Sequence, residues 1–254
     1  MKTSQMLVAS VVLLVSGCAT VPPDGNVNDP YEHFNRKVFE FNDTVDAIAV
    51  KPIAKAYNAV LPSFVQTGIT NFFGNIGDSW TMVNDFLQGN VESGVADLAR
   101  VSLNTIFGLG GIVDFASAAN IPRHSEDMGK TLGVWGFPDG PYIVLPLLGP
   151  STVRDTIGTP FDYYGDLWGY TTPVYVRNSG SAVRAVNKRS GLLGATNLLD
   201  DAALDKYIFT RDGYLQRRAS QVDARIQERQ DRIDDAAAAA AVNAVSAVPD
   251  EPEK

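Results

Sequence analysis

The residue with the clearest chemistry is Cys18, the only cysteine of the chain. It directly follows the small residues of Val15-Ser16-Gly17, and a basic Lys2 and a short apolar run precede these. This order is typical of a secretory signal peptide. The run is too short for a spanning helix, which needs about 20 apolar residues. The four residues that end at Cys18 also match a bacterial lipobox, in which the thiol is lipidated and the chain is cut before the cysteine.

Lipidation of Cys18 would fix the protein to a membrane. Several acyl chains, at about 0.8 kcal/mol per buried CH₂, hold a protein almost permanently, whereas one chain is marginal. We therefore predict a signal peptide over residues 1–17 and lipid attachment at Cys18; an ordinary signal peptide with a chance cysteine is the alternative. Ala19 follows the cysteine, and in the common enterobacterial rule this resembles a signal for the outer membrane. Residues 18–28 contain Pro-Pro and Asp-Gly and predict a short lipidated linker.

The remaining reactive residues form no recognisable catalytic or metal-binding motif. His33 and His124 belong to no His-x-x-x-His or His-Glu-x-x-His pattern, and a cysteine pair is absent from the sequence. The nearest match to the nucleophile elbow G-x-S-x-G, at Ser79, lacks the second glycine. A triad of distant residues stays open, because triads are spatial. We expect no catalytic residue, no metal and no cofactor.

The composition indicates a folded domain with an acidic surface. The 254 residues are 45% hydrophobic and carry a net charge of −8. Removal of residues 1–17 would take away Lys2 and leave 20 basic and 29 acidic residues, a net charge of −9. Nucleic acids are bound by clustered Lys and Arg, so we expect no nucleic-acid partner. After the leader, no stretch reaches the roughly 18 apolar residues of a spanning helix. We therefore expect a protein that is anchored to a membrane without a conventional spanning helix.

The spacing of apolar residues predicts an all-α fold of short amphipathic helices without a large sheet. Asp29, Pro30 and Glu32 read as a capped helix start. Behind them, apolar residues recur at spacings of three and four and form one face, whose simplest role is helix packing. This stripe consists of Phe34, Val38, Phe41, Val45 and Ile48. The helix is expected to end near Lys51-Pro52. The other predicted helices cover residues 52–61, 63–73, 78–89, 90–106, 152–158, 173–193 and 200–232.

An apolar segment rich in glycine and proline lies in the middle of the chain, at residues 133–150. Ordinary surface loops are polar, so this segment needs a core, a partner or lipid to cover it. A loop that folds over the core and a loop that meets lipid both stay open. The apolar residues in question are Phe137, Tyr142, Ile143, Val144, Leu145, Leu147 and Leu148.

The folded domain is predicted to cover residues 29–232. Residues 233–254 are an alanine run followed by Asp-Glu-Pro-Glu-Lys, which is typical of a frayed or disordered tail. Residues 211–232 carry many charges of both signs. This pattern predicts a solvated helix face, with a docking surface for a soluble partner as the alternative.

Four stretches together resemble a known family. They are DPYEHFNRKVFEFN at 29–42, LNTIFGLGGIVD at 103–114, the segment from Gly129 to Asp155 with GPYIVLPLLGPSTVRD at its end, and DKYIFTRDGYLQRR at 205–218. In this order, behind a lipobox, they resemble the VacJ/MlaA family of outer-membrane lipoproteins. The motif residues of the first helix are Asp29, Pro30, Phe34, Asn35, Arg36, Phe41 and Asn42.

The resemblance implies an all-helical ring or disc that lies in the inner, periplasm-facing leaflet of the outer membrane. It implies an amphipathic pore through which phospholipids misplaced in the outer leaflet move toward the periplasm. It also implies a trimeric porin and a soluble periplasmic lipid carrier as partners. The apolar segment 137–148 matches the family's loop beside the pore, and Arg154 is a candidate for the polar lining.

Three classes of function stay open at this point. The first is a non-enzymatic lipoprotein that translocates phospholipids and maintains lipid asymmetry. The second is a structural lipoprotein that tethers or stabilises a porin without lipid transfer, and the third is a lipid hydrolase. Deletion of residues 142–148 is expected to separate the first two, because a pure tether should tolerate it.

Overall fold

The computed structural model describes residues 28–246, with side chains described for residues 28–200 and 203–240. The predicted signal peptide, Cys18 and nearly the whole linker lie outside the described residues, as do residues 247–254. The helices and strands are α1 Glu32–Val45, a π-helical turn Asp46–Val50, α2 Lys51–Val60, α3 Ser63–Leu87, α4 Val91–Ile106, α5 Phe115–Ala118, α6 Met128–Val134, β1 Tyr142–Leu145, β2 Gly149–Thr152, α7 Val153–Gly165, a 3₁₀ turn Leu167–Tyr170, α8 Val174–Gly191, α9 Leu193–Ala202 and α10 Lys206–Ser246.

The prediction of an all-α fold without a large sheet is confirmed. The described part of the chain is helical except for its loops and one small hairpin, in which β1 and β2 pair antiparallel with Tyr142 opposite Thr152 and Leu145 opposite Gly149. The sequence did not predict this hairpin, because each strand has only four residues. None of the helices within residues 28–246 combines the length and the apolar character that crossing a bilayer demands.

The start of α1 differs from its prediction. Asp29 does not cap the helix: the capping position is Tyr31, which makes no side-chain hydrogen bond to the backbone. Asp29 is instead buried and accepts a hydrogen bond from Asn35. The helical path also continues past the predicted end at Lys51-Pro52, because a π-helical turn leads directly into α2 and Pro52 sits in the first turn, where its missing N–H is tolerated.

The predicted break at Asp78 is also wrong, since α3 runs without interruption from Ser63 to Leu87. Asp78 is buried inside this helix and pairs with Arg123 at 2.9 Å. One turn earlier, Gly74 leaves room for the Arg123 guanidinium, which lies where a Cβ of residue 74 would stand. Asp78 and Gly74, which resemble a helix cap and a helix stop in the sequence, thus belong to an ion pair between distant parts of the chain.

The connection between α3 and α4 confirms the predicted cap at Asn90. Its side chain accepts a hydrogen bond from the backbone N–H of Ser93 at 3.2 Å. Gly89 precedes it with φ +76°, a left-handed conformation that favours glycine. These two residues turn the chain back on itself, so that α3 and α4 form an antiparallel helical hairpin.

The last helix starts later and ends later than predicted. It begins at Lys206, after the separate helix α9, and it continues through the alanine run to Ser246. In the structure, residues 233–246 of the predicted frayed or disordered tail continue this helix, in keeping with the high helix propensity of alanine.

The helices bury their polar faces and expose their apolar ones. On α4, the buried positions include Asp97, Arg100 and Asn104, whereas Val91, Val95, Leu98 and Ile106 are exposed. The same inversion occurs on α1, where Asn35 is buried while Phe34 and Phe41 are about half exposed. Among the described residues, buried polar side chains outnumber buried hydrophobic ones. The predicted packing role of the Phe34–Phe41 stripe is therefore wrong for these two rings.

Candidate functional site

A cavity of about 680 Å³ lies between α3, the segment 123–127, α7 and α8. Aromatic rings and charges of both signs share its wall. The principal lining residues are Phe73, Asp78, Trp80, Arg123, His124, Asp162, Asp166, Arg184 and Lys188. The lining segments come from separate parts of the chain, and only α7 and α8 follow one another closely. The cavity therefore exists only in the folded protein.

Asp162 fixes one wall of the cavity. Its Oδ1 accepts hydrogen bonds from the Trp80 indole N–H and the Met128 backbone N–H, both at 2.8 Å. Burial raises the pKa of Asp162. Gly165, one turn along α7, leaves the space that the Trp80 ring occupies. The aromatic part of the cavity is therefore held rigidly against α7.

The cationic residues of the cavity differ in how strongly they are paired. Arg123 binds Asp78 at 2.9 Å, and Arg184 binds Asp166 at 2.5 Å while it lies over the Phe73 ring. Lys188 is exposed and forms no hydrogen bond or ion pair with any residue in the described part of the chain. An anionic group that enters the cavity can therefore reach one ammonium group without breaking an existing ion pair.

Two asparagines of α1 hold the β-hairpin in place. The Asn35 amide donates to the Tyr142 carbonyl at 3.1 Å and accepts from the Val144 N–H at 2.9 Å. Seven residues later, Asn42 repeats the arrangement, donating to the Leu145 carbonyl at 3.0 Å and accepting from the Leu147 N–H at 2.7 Å. Two side chains thus replace the neighbouring strand that β1 lacks, which explains how so short a hairpin is stable.

The other polar residues of the family-like helix form a buried network around Asp29. The Asp29 carboxylate accepts from Asn35 at 2.8 Å and from Arg211 at 3.2 Å, and the Tyr207 hydroxyl also donates to it. Arg36 pairs with Asp205 at 3.0 Å and lies over the Tyr207 ring. Pro30 is half-buried beside them. These motif residues connect the hairpin and α1 to the start of α10, and none of them lines the cavity.

Arg218 of α10 joins two carboxylates from distant parts of the chain. Its guanidinium donates two hydrogen bonds to Asp127, at 2.7 and 2.8 Å, and two to Asp155, both at 2.8 Å. The Tyr214 hydroxyl donates a further bond to Asp155 at 2.5 Å. Bidentate pairs of this kind are among the strongest polar contacts in proteins. The start of α6, the start of α7 and the N-terminal half of α10 are fixed to one another at this point.

Stability should depend on pH through this network. Burial alone would raise the pKa of Asp155, but hydrogen bonds from Arg218 and Tyr214 outweigh it and hold the pKa below its usual value. A carboxylate of this kind stabilises the fold above its unfolded-state pKa of about 4, and the contribution is lost as the pH falls through the lower folded-state value. We expect the Tm, followed by circular dichroism, to fall below about pH 5, and less steeply in Asp155→Asn. Equal slopes in the two proteins would contradict the assignment.

The structure divides the apolar loop candidates into two groups. Tyr142 and Val144 are fully buried and form the hydrophobic cluster with Tyr207, while Ile143 and Leu145 are half-buried. Leu147 and Leu148, at the tip of the hairpin, are 70% and 71% exposed, and Phe137 is also exposed. The strand part of the loop therefore covers the core, as one of the two interpretations predicts, whereas the tip is exposed and its contact with lipid stays a prediction.

Arg154 does not reach the cavity. It is buried behind the hairpin, where it pairs with Asp139 at 2.6 Å and with Asp155 at 3.3 Å. The cationic residues that do line the cavity are Arg123, Arg184 and Lys188. Arg184 and Lys188 belong to the helix predicted over 173–193, so the sequence indicated basic residues on this helix. It did not show that these two would face the cavity.

Apolar helix faces that point outward around a charged cavity define a class of protein. This is a helical protein with an extensively apolar outer surface and many buried polar groups, and exposed apolar surface of this extent marks a site of contact with a membrane or another protein.

The family model of the MlaA lipoprotein matches residues 27–221, and the chain belongs to this family. The intermembrane phospholipid transport system lipoprotein MlaA of Escherichia coli K12 is 36% identical over 223 residues, which are 85% of this chain and 88% of that protein. The protein of the same name from Haemophilus influenzae is 32% identical over 92% of this chain and 97% of its own. A solved structure concerned with the maintenance of bacterial outer membrane lipid asymmetry superposes with a TM-score of 0.67 at 34% identity, covering 76% of this chain and 98% of its own. The resemblance drawn from the four sequence stretches is thereby confirmed.

Proposed function

We propose that this protein is an outer-membrane lipoprotein that removes misplaced phospholipids from the outer leaflet and passes them to a soluble periplasmic carrier. The observation that carries the proposal is the inverted burial of its helices around a charged cavity. Family membership and the names of its relatives support the same activity. No bond is made or broken in this process, so the function requires no catalytic residue.

The cavity suits a phospholipid headgroup. Such a headgroup carries a phosphate and often an ammonium group. The lining offers Lys188 to the phosphate, and the Arg184–Asp166 ion pair presents a further charge of each sign beside it. Acyl chains need an apolar route, and an open groove of α3 beside the cavity is lined almost entirely by hydrophobic side chains. These are Phe64, Val65, Ile69, Phe72, Phe73 and Ile112. Phe73 belongs to both, so the two environments meet at this ring.

The tip of the hairpin is a second element of the proposal. Leu147 adopts φ +63°, a left-handed conformation that is unfavourable for leucine, and Asn42 holds its N–H in that position. The fold thus maintains two exposed leucines at the end of a braced hairpin. We propose that they contact the acyl chains of the lipid that is being removed.

The proposal also covers the membrane anchor and the partners of the protein. Acylated Cys18 anchors the chain to the periplasm-facing leaflet, and the exposed faces of α1 and α4 sit among acyl chains. A trimeric porin is the proposed partner within the membrane, and a soluble lipid carrier is the proposed recipient in the periplasm.

The test is a double substitution at the hairpin tip, Leu147→Asn with Leu148→Ser. Asparagine tolerates positive φ better than leucine does, so the change removes apolar surface without weakening the turn. We expect outer-leaflet phospholipid in intact cells to rise toward the level of a strain without the gene, at a normal level of the protein. Outer-leaflet phospholipid is measured by labelling in intact cells.

Leu204→Ser, at a fully exposed leucine between α9 and α10, is the control and should leave the lipid distribution unchanged. Deletion of residues 142–148 is unsuitable as a test, since it would also remove the buried Tyr142 and Val144. If loss of the gene raises outer-leaflet lipid and the double variant does not, the role of the tip is refuted. If loss of the gene has no effect either, a structural porin-tethering lipoprotein becomes the better description.

A further inference from the structure

A group of metal-ligating side chains lies at the edge of the cavity, where nothing so far assigns a function. Asp85 is in the last turn of α3, Asp97 is in α4, and His124 belongs to the cavity-lining segment. One ligand atom from each lies within 4.8 Å of the other two. The His124 Nδ1 and the Asp97 Oδ2 are 3.2 Å apart. Three separate segments of the chain therefore direct potential ligands at one point.

The two carboxylates lack the partners that their burial requires. Asp85 and Asp97 are both 0% exposed. Within the described residues, both carboxylate oxygens of Asp85 and the Oδ1 of Asp97 accept no hydrogen bond. Buried charged groups without compensation are costly, and proteins resolve this by pairing, by protonation or by metal coordination. The cluster is thus incomplete as it stands.

Arg225 does not complete it. Its Nη2 is 3.2 Å from Asp85 Oδ1, but the hydrogen bonds of this guanidinium go to Glu126, Glu228 and Ser93. One arginine is therefore shared among three carboxylates. Among the residues that the structure describes, the one basic group within ion-pair distance of Asp97 is His124, which is a cation only when protonated.

We propose that Asp85, Asp97 and His124 bind one divalent cation of the Zn²⁺ type. Two carboxylates and an imidazole are borderline ligands that suit Zn²⁺, whereas Mg²⁺ and Ca²⁺ prefer oxygen ligands alone. The 3.2 Å spacing between Nδ1 and Oδ2 matches the separation of about 3.3 Å between two ligands of a tetrahedral Zn²⁺. Three protein ligands leave a fourth position for water, which can enter from the cavity that His124 lines.

The cation would connect parts of the cavity wall. Asp85 and Asp97 lie on either side of the turn between α3 and α4, and His124 follows Arg123, which pairs with Asp78 of α3. Binding would therefore fix the segment 123–127 against the helical hairpin. This site could not be predicted from the sequence, because its ligands are 12 and 27 residues apart and form no short metal-binding motif.

The experiment uses the full-length lipidated chain, purified in detergent without a histidine tag, stripped with EDTA and titrated with Zn²⁺. Native mass spectrometry gives the stoichiometry and calorimetry the affinity. We expect one Zn²⁺ per chain, a rise in Tm that EDTA reverses, and weaker binding at lower pH, because the ligands must be deprotonated. Mg²⁺ and Ca²⁺ should bind at least tenfold more weakly.

His124→Ala and Asp97→Asn should each weaken Zn²⁺ binding at least tenfold. His33→Ala is the matched control, since His33 is the only other histidine and is exposed on α1, and it should bind as the parent does. Circular dichroism verifies that each variant is folded; His124 is partly exposed, so its truncation leaves no large buried void. Absence of stoichiometric Zn²⁺ in the parent would overturn the proposal and favour a proton shared between the carboxylates. Equal weakening by His33→Ala would also overturn it.

Discussion

Arg218→Met is expected to lower the free energy of unfolding by about 3 kcal/mol. Removing one partner of a buried ion pair typically costs about 3–5 kcal/mol, because the remaining charge stays buried without compensation. Here Arg218 neutralises both Asp127 and Asp155. The lower end of the range applies, since Arg154 remains 3.3 Å from Asp155 and Asp127 is partly exposed. Chemical denaturation in detergent followed by circular dichroism measures the change.

Arg229→Met provides the matched control on the same helix. Arg229 is exposed and forms no ion pair within the described residues, so its loss should change the stability by less than about 0.5 kcal/mol. The double variant Arg218→Met with Asp155→Asn should recover part of the loss, because it removes the charge left behind. If Arg218→Met and Arg229→Met are equally stable, the network contributes nothing and the argument fails.

Asn35→Ala should have the second largest effect, again about 3 kcal/mol. The substitution leaves the Tyr142 carbonyl and the Val144 N–H without their hydrogen bonds, and each unsatisfied buried group costs about 1–3 kcal/mol. It also removes one of the donors to Asp29. Hydrogen exchange should show the loss directly, as faster exchange at the Val144 amide than in the parent protein.

Asn42→Ala tests the same clamp at its outer end. Asn42 is half-buried, so water can replace part of what the amide provides, and we expect a cost nearer 1 kcal/mol. Asn178→Ala, at an exposed asparagine of α8, is the control and should be neutral. An unchanged exchange rate at Val144 in Asn35→Ala would show that the hairpin is held by its own ladder and not by α1.

The exposed aromatic rings and the buried polar residues lie on opposite faces of the same helices. A soluble helical protein would turn Phe34 and Phe41 inward and leave Asn35 outside. Here the asparagine is needed inside, where it completes the backbone pairing of the hairpin. The interior is consequently held together mainly by directional polar contacts, such as those of Arg100 with Asp114, Ser117 and the Ile121 carbonyl. Many apolar side chains lie on the outer surface instead, where the proposed function places lipid.

The sequence predicted several features that depend only on neighbouring residues. The lipobox-like segment at Cys18, the cap at Asn90 and the helix predicted over 173–193 are local patterns, and the structure confirms the last two. The four family-like stretches were likewise readable in order, and the family is confirmed. Predictions failed where a local signal served a distant partner, as at Asp29 and Asp78, whose carboxylates bind residues far along the chain.

Two properties were decided only by the tertiary structure. The cavity depends on contacts such as that between Trp80 and Asp162, which are 82 residues apart, and no local pattern encodes such a distance. The second property is the direction of each amphipathic helix. Periodicity separates an apolar face from a polar one, but it does not show which of them turns inward, because that choice depends on whether water or lipid surrounds the protein.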